Sequence, residues 1–268
     1  MYLIFPSAST VVRGRFVVCV VAFLLAITAQ GGWVVTESEP HAGKNGLVQR
    51  VAVTAEESET GDTARLQLAI FDSAKATMRV LDQPSEPRSS LAEAMQASAC
   101  LAGVNGGYFD PEHAAVGLLI SDGRMVQAKQ KARLLSGVVS VVNGRLQIER
   151  AAAYAPIGKP SAARQCGPFL VERGGAVPGL NDTRAARRTF ILVAGKGRAA
   201  VGYASSVTLA QLGALLVTPG LASDFKVQNA LNLDGGSSSG FWFAGEDGPF
   251  SIREQKTVRD YLGIVAKP

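Results

Sequence analysis

The chain has 268 residues, with 27 Lys and Arg against 22 Asp and Glu, two His and three Cys. Its formal charge of +5 is scattered, densest only at Arg184, Arg187 and Arg188 with no interleaved aromatics, which argues against a nucleic-acid stacking platform. With 47% hydrophobic residues, the length can bury the core of one globular domain, or at most two small ones.

Arg13 and Arg15 precede an uncharged apolar run over 16–29, the order of basic, hydrophobic and small residues found in an export signal. The run falls short of the roughly 18 to 20 apolar residues of a comfortable bilayer span, which favours cleavage after Ala29. Ile27 is bulkier than the small side chain a cleavage site prefers, so an N-terminal anchor is the alternative for 1–29. Either way the expectation is an exported protein, periplasmic or extracellular, that meets a membrane only through an uncleaved N-terminal segment. Cys19 lies within that segment. Cys100 and Cys166 fit one disulfide or two buried free thiols equally, and neither has the spaced partners of a zinc site.

Residues 30–45 turn to Gly, Ser, Glu, Pro and Lys and read as a linker, which places the folded domain at 46–268. β-rich runs follow at 48–55, 65–71, 77–81, 116–121, 137–142, 145–150, 169–172, 189–193, 199–203, 230–233 and 261–265. Asn143-Gly144 between two of them is a strong hairpin signal. Ser90 with Glu93, and Thr208 with Gln211, are capping boxes that each open a helix. The first carries Leu91, Ala94, Met95 and Ala99 and ends near Cys100; the second carries Leu209, Leu212 and Leu216 and stops at Pro219-Gly220. Strands do not alternate regularly with helices, so a doubly wound parallel sheet is disfavoured. The pattern predicts a single α+β domain of mostly antiparallel or mixed sheet with a few packed helices.

Three glycine-rich polar clusters follow strand-like segments. They are Asn105-Gly106-Gly107-Tyr108-Phe109-Asp110, then Cys166-Gly167-Pro168-Phe169-Leu170-Val171, then Leu231-Asn232-Leu233-Asp234-Gly235-Gly236-Ser237-Ser238. Paired glycines let backbone approach a ligand, and Asp110 and Asp234 sit where a strand hands over to a loop. With Gly117 to Gly123, with Arg187-Arg188-Thr189, and with Arg259 and Leu262-Gly263-Ile264 in the same order, the clusters resemble the phosphodiester glycosidase family. The resemblance covers nearly everything after Leu47. It implies an α+β fold with the motifs converging on one cleft, and hydrolysis of a sugar 1-phosphodiester, of the N-acetylhexosamine type, to free sugar and a phosphate monoester. Ser237 stands where many members continue with a third glycine.

Glycosyl phosphate cleavage passes through an oxocarbenium-like state that needs a carboxylate at the anomeric carbon and an acid or cation at the leaving oxygen. Asp234 is the candidate nucleophile or base, and Asp110 or Glu172 the second carboxyl. Arg188 offers a planar fork of donors to neutralise the phosphate. Thr189, Ser237, Ser238 and the amides around Gly106, Gly107, Gly235 and Gly236 would complete an anion cradle. Asn105 and Asn232 would hold sugar hydroxyls or orient a carboxylate. No cofactor is required; Asp110, Glu112, His113 and Asp234 together are compatible with a divalent cation such as calcium.

Bland readings compete. Asn105-Gly106-Gly107 also suits a tight turn, Asp110-Pro111 a loop cap, and Glu172 a solvent-facing strand position. The alternation Leu231, Asn232, Leu233, Asp234 is that of a half-buried strand. Gly236 to Gly240 also fits the nucleophile elbow of a serine hydrolase with Ser238 reactive, yet His41 and His113 both precede it, whereas that fold supplies its histidine later. A non-catalytic envelope glycan-binding protein is the other alternative.

Overall fold

The structure is a computed structural model that describes residues 32–221 and 225–267; the export segment lies outside the described residues. In chain order the elements begin with β1 (Trp33–Ala42), β2 (Val48–Glu57), β3 (Thr63–Asp72), β4 (Ala76–Asp82) and α1 (Leu91–Ala97). Next come β5 (Ala102–Asn105), β6 (Leu119–Ser121), β7 (Arg124–Gln127), β8 (Gly137–Val142) and β9 (Arg145–Arg150). β10 (Pro160–Cys166), β11 (Phe169–Glu172), β12 (Gly175–Ala176), β13 (Ala186–Ala194) and β14 (Arg198–Val207) follow. α2 (Leu209–Val217), β15 (Val227–Asn232), β16 (Phe241–Gly245), β17 (Gly248–Ile252) and β18 (Asp260–Ala266) complete the domain.

These strands form an eight-stranded sheet, β1-β2-β3-β14-β13-β15-β11-β12, and two five-stranded sheets, β7-β6-β10-β8-β9 and β17-β16-β5-β18-β4. The pairings run antiparallel throughout, for example Phe190 with Asn232 between β13 and β15. Apolar residues of all three sheets share one core that includes Phe71, Met78, Val139, Phe169, Ile191, Phe241 and Ile264. α2 lays Leu212, Leu215 and Leu216 on the outer face of the large sheet, against Leu68, Leu170 and Leu192. α1 packs Leu91 and Met95 against Trp242 and Tyr261. Both capping boxes are formed, Ser90 accepting from Glu93 N and Thr208 from Gln211 N. The expected α+β class is therefore what the chain adopts.

The stretch read as a linker, 30–45, holds a strand instead. β1 pairs with β2 from Trp33 opposite Glu57 to Ala42 opposite Gln49. It is an edge strand exposed along most of its length, held by its backbone ladder and by Trp33 and Val35, which pack against the core of the large sheet. Charged residues and Pro40 on such an edge blunt pairing with other chains, and the same composition reads as linker in the sequence. Between β8 and β9 the Asn143-Gly144 turn is as expected, with both residues at positive φ, 50° and 73°.

Cys100 and Cys166 are free, buried thiols, so the packed alternative holds. Burial pushes Cys100 up to about 11 and Cys166 to about 12. Because the thiolate is the reactive form, neither cysteine should react with iodoacetamide at pH 8 in the native protein, and both should react in denaturant. Mass analysis of the alkylated chain checks this; rapid native labelling of Cys166 would contradict the packing.

Candidate active site

The topology explains why distant motifs meet. β15 runs antiparallel to both β11 and β13, so its C-terminal end at Asn232 lies beside their N-terminal ends. In the neighbouring sheet the C-terminal end of β5, at Asn105, likewise meets the start of β18 at Tyr261. The two corners are joined through backbone: Asp234 N donates to Gly106 O at 3.1 Å, Leu233 N to Thr189 O at 2.9 Å and Asn232 N to Pro168 O at 3.0 Å.

Buried amides and a hydroxyl fasten this junction. Asn105 is fully buried; its Nδ2 donates to Asp234 O at 2.7 Å. Its Oδ1 accepts from Thr189 Oγ1 at 2.8 Å and from Gly240 N at 3.2 Å. Asn232 Nδ2 reaches Gly167 O at 2.9 Å, and the Tyr108 hydroxyl donates to that same carbonyl at 2.6 Å. Asn105, Thr189 and Asn232 thus hold the backbone of the 232–234 segment from buried positions. Of the two roles expected for the asparagines, orientation fits Asn105, whereas Asn232 Oδ1 is buried without a hydrogen-bond partner among the described residues.

Gly106 and Gly107 owe their identity to what lies behind them. Gly106 N donates to Asp260 O at 2.7 Å and Gly107 N to Asp260 Oδ1 at 3.3 Å, so these amides are spent inside the fold. A Cβ on Gly106 would stand 1.7 Å from Asp260 Oδ1, and one on Gly107 2.5 Å from Arg164 Cζ. Arg164 and Asp260 form an ion pair of side chains with 0% exposure, Arg164 Nε lying 3.1 Å from Asp260 Oδ1. Arg164 also donates to Val116 O at 2.9 Å and Tyr108 O at 2.7 Å, so the buried charge is well satisfied. The pair has no signature in the local sequence: β10 mixes small and polar residues, and Asp260 lies 96 residues further on.

Above this frame Asp234 is half-buried, and burial raises its carboxyl above the usual aspartate range. The Ser238 side chain, the Lys256 ammonium and the Gly235 amide partly oppose that shift, and the charge of Asp260 adds to it. Ser238 is fully buried beside Asp234 without a hydrogen bond of normal geometry for its Oγ. Gly236, at φ 65°, starts a short 3-10 turn over Gly236–Ser238 that leaves Ser237 exposed. Arg188 is anchored by Nη2 to Arg184 O at 2.8 Å and Nε to Val207 O at 3.3 Å. Its Nη1 faces Gly235, where a Cβ would lie 3.3 Å away, and makes no hydrogen bond to the described residues. Burial lowers the Arg188 pKa, which nonetheless stays that of a permanent cation. Arg187, by contrast, ties β13 to Ser239 O and Arg253 O.

The two other predicted carboxylates have partners of their own, Asp110 through one oxygen and Glu172 through both. Asp110 accepts from Ala114 N at 2.7 Å and its own amide donates to Ala114 O at 3.0 Å, so it closes the loop before Ala115 as a cap. Glu172 is held by both ends of Arg150, at 2.9 and 2.7 Å, and this pairing lowers its pKa. Its neighbour Arg173 bonds to Asn229, five residues before Asp234 and roughly 15 Å along the strand. Glu172→Gln should accordingly leave turnover within about twofold of wild type, as surface changes away from a site do; a tenfold loss in a steady-state assay would return it to the chemistry.

Among the described residues no three His, Cys, Asp or Glu side chains gather as metal ligands, so Asp110, Glu112, His113 and Asp234 are not assembled as one set. His113 stacks on Phe109 with ring centroids 5.0 Å apart, and its Nε2 lies 3.5 Å from Thr257 Oγ1. No imidazole reaches Ser238, and His41 sits on the edge strand β1, so the serine-hydrolase arrangement is absent among the described residues.

Fold and site together define an α+β domain in which one half-buried carboxylate and one guanidinium flank a glycine loop. The chain belongs to the phosphodiester glycosidase family, whose model matches residues 98–265. No curated protein matches it. The zebrafish N-acetylglucosamine-1-phosphodiester alpha-N-acetylglucosaminidase catalytic domain, auto-inhibited by its pro-peptide, is similar in structure at 14% identity and a TM-score of 0.59. That match covers 90% of this chain and 85% of that one. A Synechocystis protein matches at 13% identity and TM-score 0.54, over 82% of this chain and 62% of that one. A protein described as exported from Burkholderia pseudomallei K96243 matches at 12% identity and TM-score 0.53, over 78% and 75%. At these identities the likeness is one of fold. Among the described residues no helix is long and apolar enough to cross a membrane.

Proposed function

We propose that the protein hydrolyses a sugar 1-phosphodiester of the N-acetylhexosamine class, releasing free sugar and a phosphate monoester, in an extracytoplasmic compartment. The observation that carries this reading is the placement of the open Nη1 of Arg188 beside Gly235, the residue that follows the desolvated Asp234 carboxylate. Membership of the phosphodiester glycosidase family supplies the reaction class. The sugar class follows the family resemblance and the name of the zebrafish neighbour.

In this scheme Asp234 supports positive charge at the anomeric carbon, directly or through the attacking water. The departing phosphate gains negative charge as the C–O bond breaks. Arg188 meets that charge with donors already fixed in direction, so little reorganisation accompanies the step. Charge neutralisation replaces a strong general acid, and one carboxylate suffices. That agrees with Glu172 being held by Arg150. Asn105, Thr189 and Asn232 act as positioning residues through the Asp234 backbone.

The domain from Gly31 onward should release sugar from a nitrophenyl phosphodiester of N-acetylglucosamine 1-phosphate, with equal rate in the presence of a chelator. No release from folded protein across a panel of sugar phosphodiesters would favour a glycan-binding role instead.

A further inference from the structure

The segment after β17 is a strap along one side of the site, and its exposed side chains are unaccounted for by the hydrolysis itself. Three ties hold it. Glu254 is buried and accepts from Leu91 N at 2.9 Å and the Tyr261 hydroxyl at 3.3 Å. Gln255 N donates to Ser237 O at 2.7 Å, joining the strap to the loop that follows Asp234. Arg253 O accepts from Arg187 Nη2 at 2.7 Å.

So fixed, the strap presents Arg253, Lys256 and Thr257 to solvent. They line a cleft of about 610 Å³ together with Arg88, Glu93 and Glu254. Of the acids on this wall, Glu254 is buried against α1 and Tyr261, whereas Glu93 is exposed and caps Ser90, accepting from its amide at 2.7 Å. Arg88 is paired with Glu86. Arg253 and Lys256 are the lining cations that form no ion pair among the described residues, although the charge of Arg253 is felt at Glu93. The Lys256 ammonium lies 4.8 Å from the Phe109 ring, itself stacked on His113, and its charge is felt at Asp234. Lys256 therefore lines the cleft while its charge reaches Asp234.

We infer that this cleft is the subsite for the group on the far side of the scissile phosphate, and that it selects an aglycone bearing a further negative charge, such as the next phosphate of a sugar-phosphate polymer. The inference rests on the proposed hydrolysis and names its substrate class. A dianionic phosphate meeting two unpaired cations would gain charge-assisted contacts that a neutral alcohol lacks. Both cations are exposed, so the preference should weaken as salt rises.

A matched pair of diesters tests it: N-acetylglucosamine 1-phosphate esterified to ethylene glycol, and the same compound with its free hydroxyl phosphorylated. Titration calorimetry on the Asp234→Asn protein compares binding of the two without turnover. The phosphorylated diester should bind about tenfold more tightly, roughly 1.4 kcal/mol. The added Arg253→Met and Lys256→Met substitutions should bring the ratio to about one, and Lys256→Arg should keep most of it. kcat/KM ratios for the otherwise wild-type proteins should follow the same order. Equal binding of the two diesters, or a preference that survives the double substitution, overturns the inference. Failure of the wild-type protein to release sugar falls on the proposed reaction instead, and the binding ratio still decides the subsite.

Discussion

Asp234→Asn should leave a folded protein that releases sugar on the order of a thousandfold more slowly, the scale of losing a positioned acid-base or nucleophilic group. The stability of the same variant separates chemistry from structure. Burial raises the folded-state pKa of Asp234, so the folded protein holds this proton to higher pH than the unfolded chain does. Stability therefore falls as pH rises between the unfolded and folded pKa values, and above the folded value the full cost is present. At neutral pH the amide removes that cost, and the melting temperature should stay equal or rise. The acid limb of kcat/KM in the wild-type protein should correspondingly lie above the ordinary aspartate range near about 3.9. A melting temperature several degrees lower would mean that Asp234 is structural, and its loss of activity would then prove nothing about the reaction.

The largest effect on stability is expected at the buried pair beneath the site. Asp260→Ala strands the Arg164 guanidinium, whose side chain is 0% exposed, and frees the Gly107 amide. Breaking such a pair by removing one partner costs about 3–5 kcal/mol. For a domain of this size that is a fall of about 10 °C in melting temperature. Adding Arg164→Met removes the stranded charge, so the double variant should melt above the Asp260→Ala single variant; thermal unfolding of the cycle measures this. A double variant less stable than the single would show that Arg164 is held by Val116, Tyr108 and Gln165 carbonyls without need of Asp260.

Much of this architecture could be read from local sequence. The capping boxes at Ser90 and Thr208 and the Asn143-Gly144 turn have side-chain or glycine signatures set within a few residues, and each appears as read. β1 was illegible because an edge strand is held largely by a partner's backbone, and its exposed charges resemble those of a linker. At the site, Asp234, Arg188 and the glycine loop were legible as motifs. The division between groups that face a ligand and groups that brace the frame was not. Asn105 and Asn232 look equally polar in sequence, and only the packing of two sheet corners shows both buried. Glu172 reads as a plausible carboxylate in the sequence, and its partner Arg150, 22 residues away, appears only in the fold. Arg164 and Asp260 are 96 residues apart, and nothing local announces their contact.

Which bond breaks separates a glycosidase from a phosphoesterase. Hydrolysis of N-acetylglucosamine 1-phosphate esters in ¹⁸O-water, read by ³¹P resonance of the phosphate monoester, resolves it. Attack at the anomeric carbon near Asp234 predicts a monoester free of ¹⁸O, with the label in the sugar. Label in the phosphate would mean cleavage at phosphorus and would contradict a glycosidase centred on Asp234.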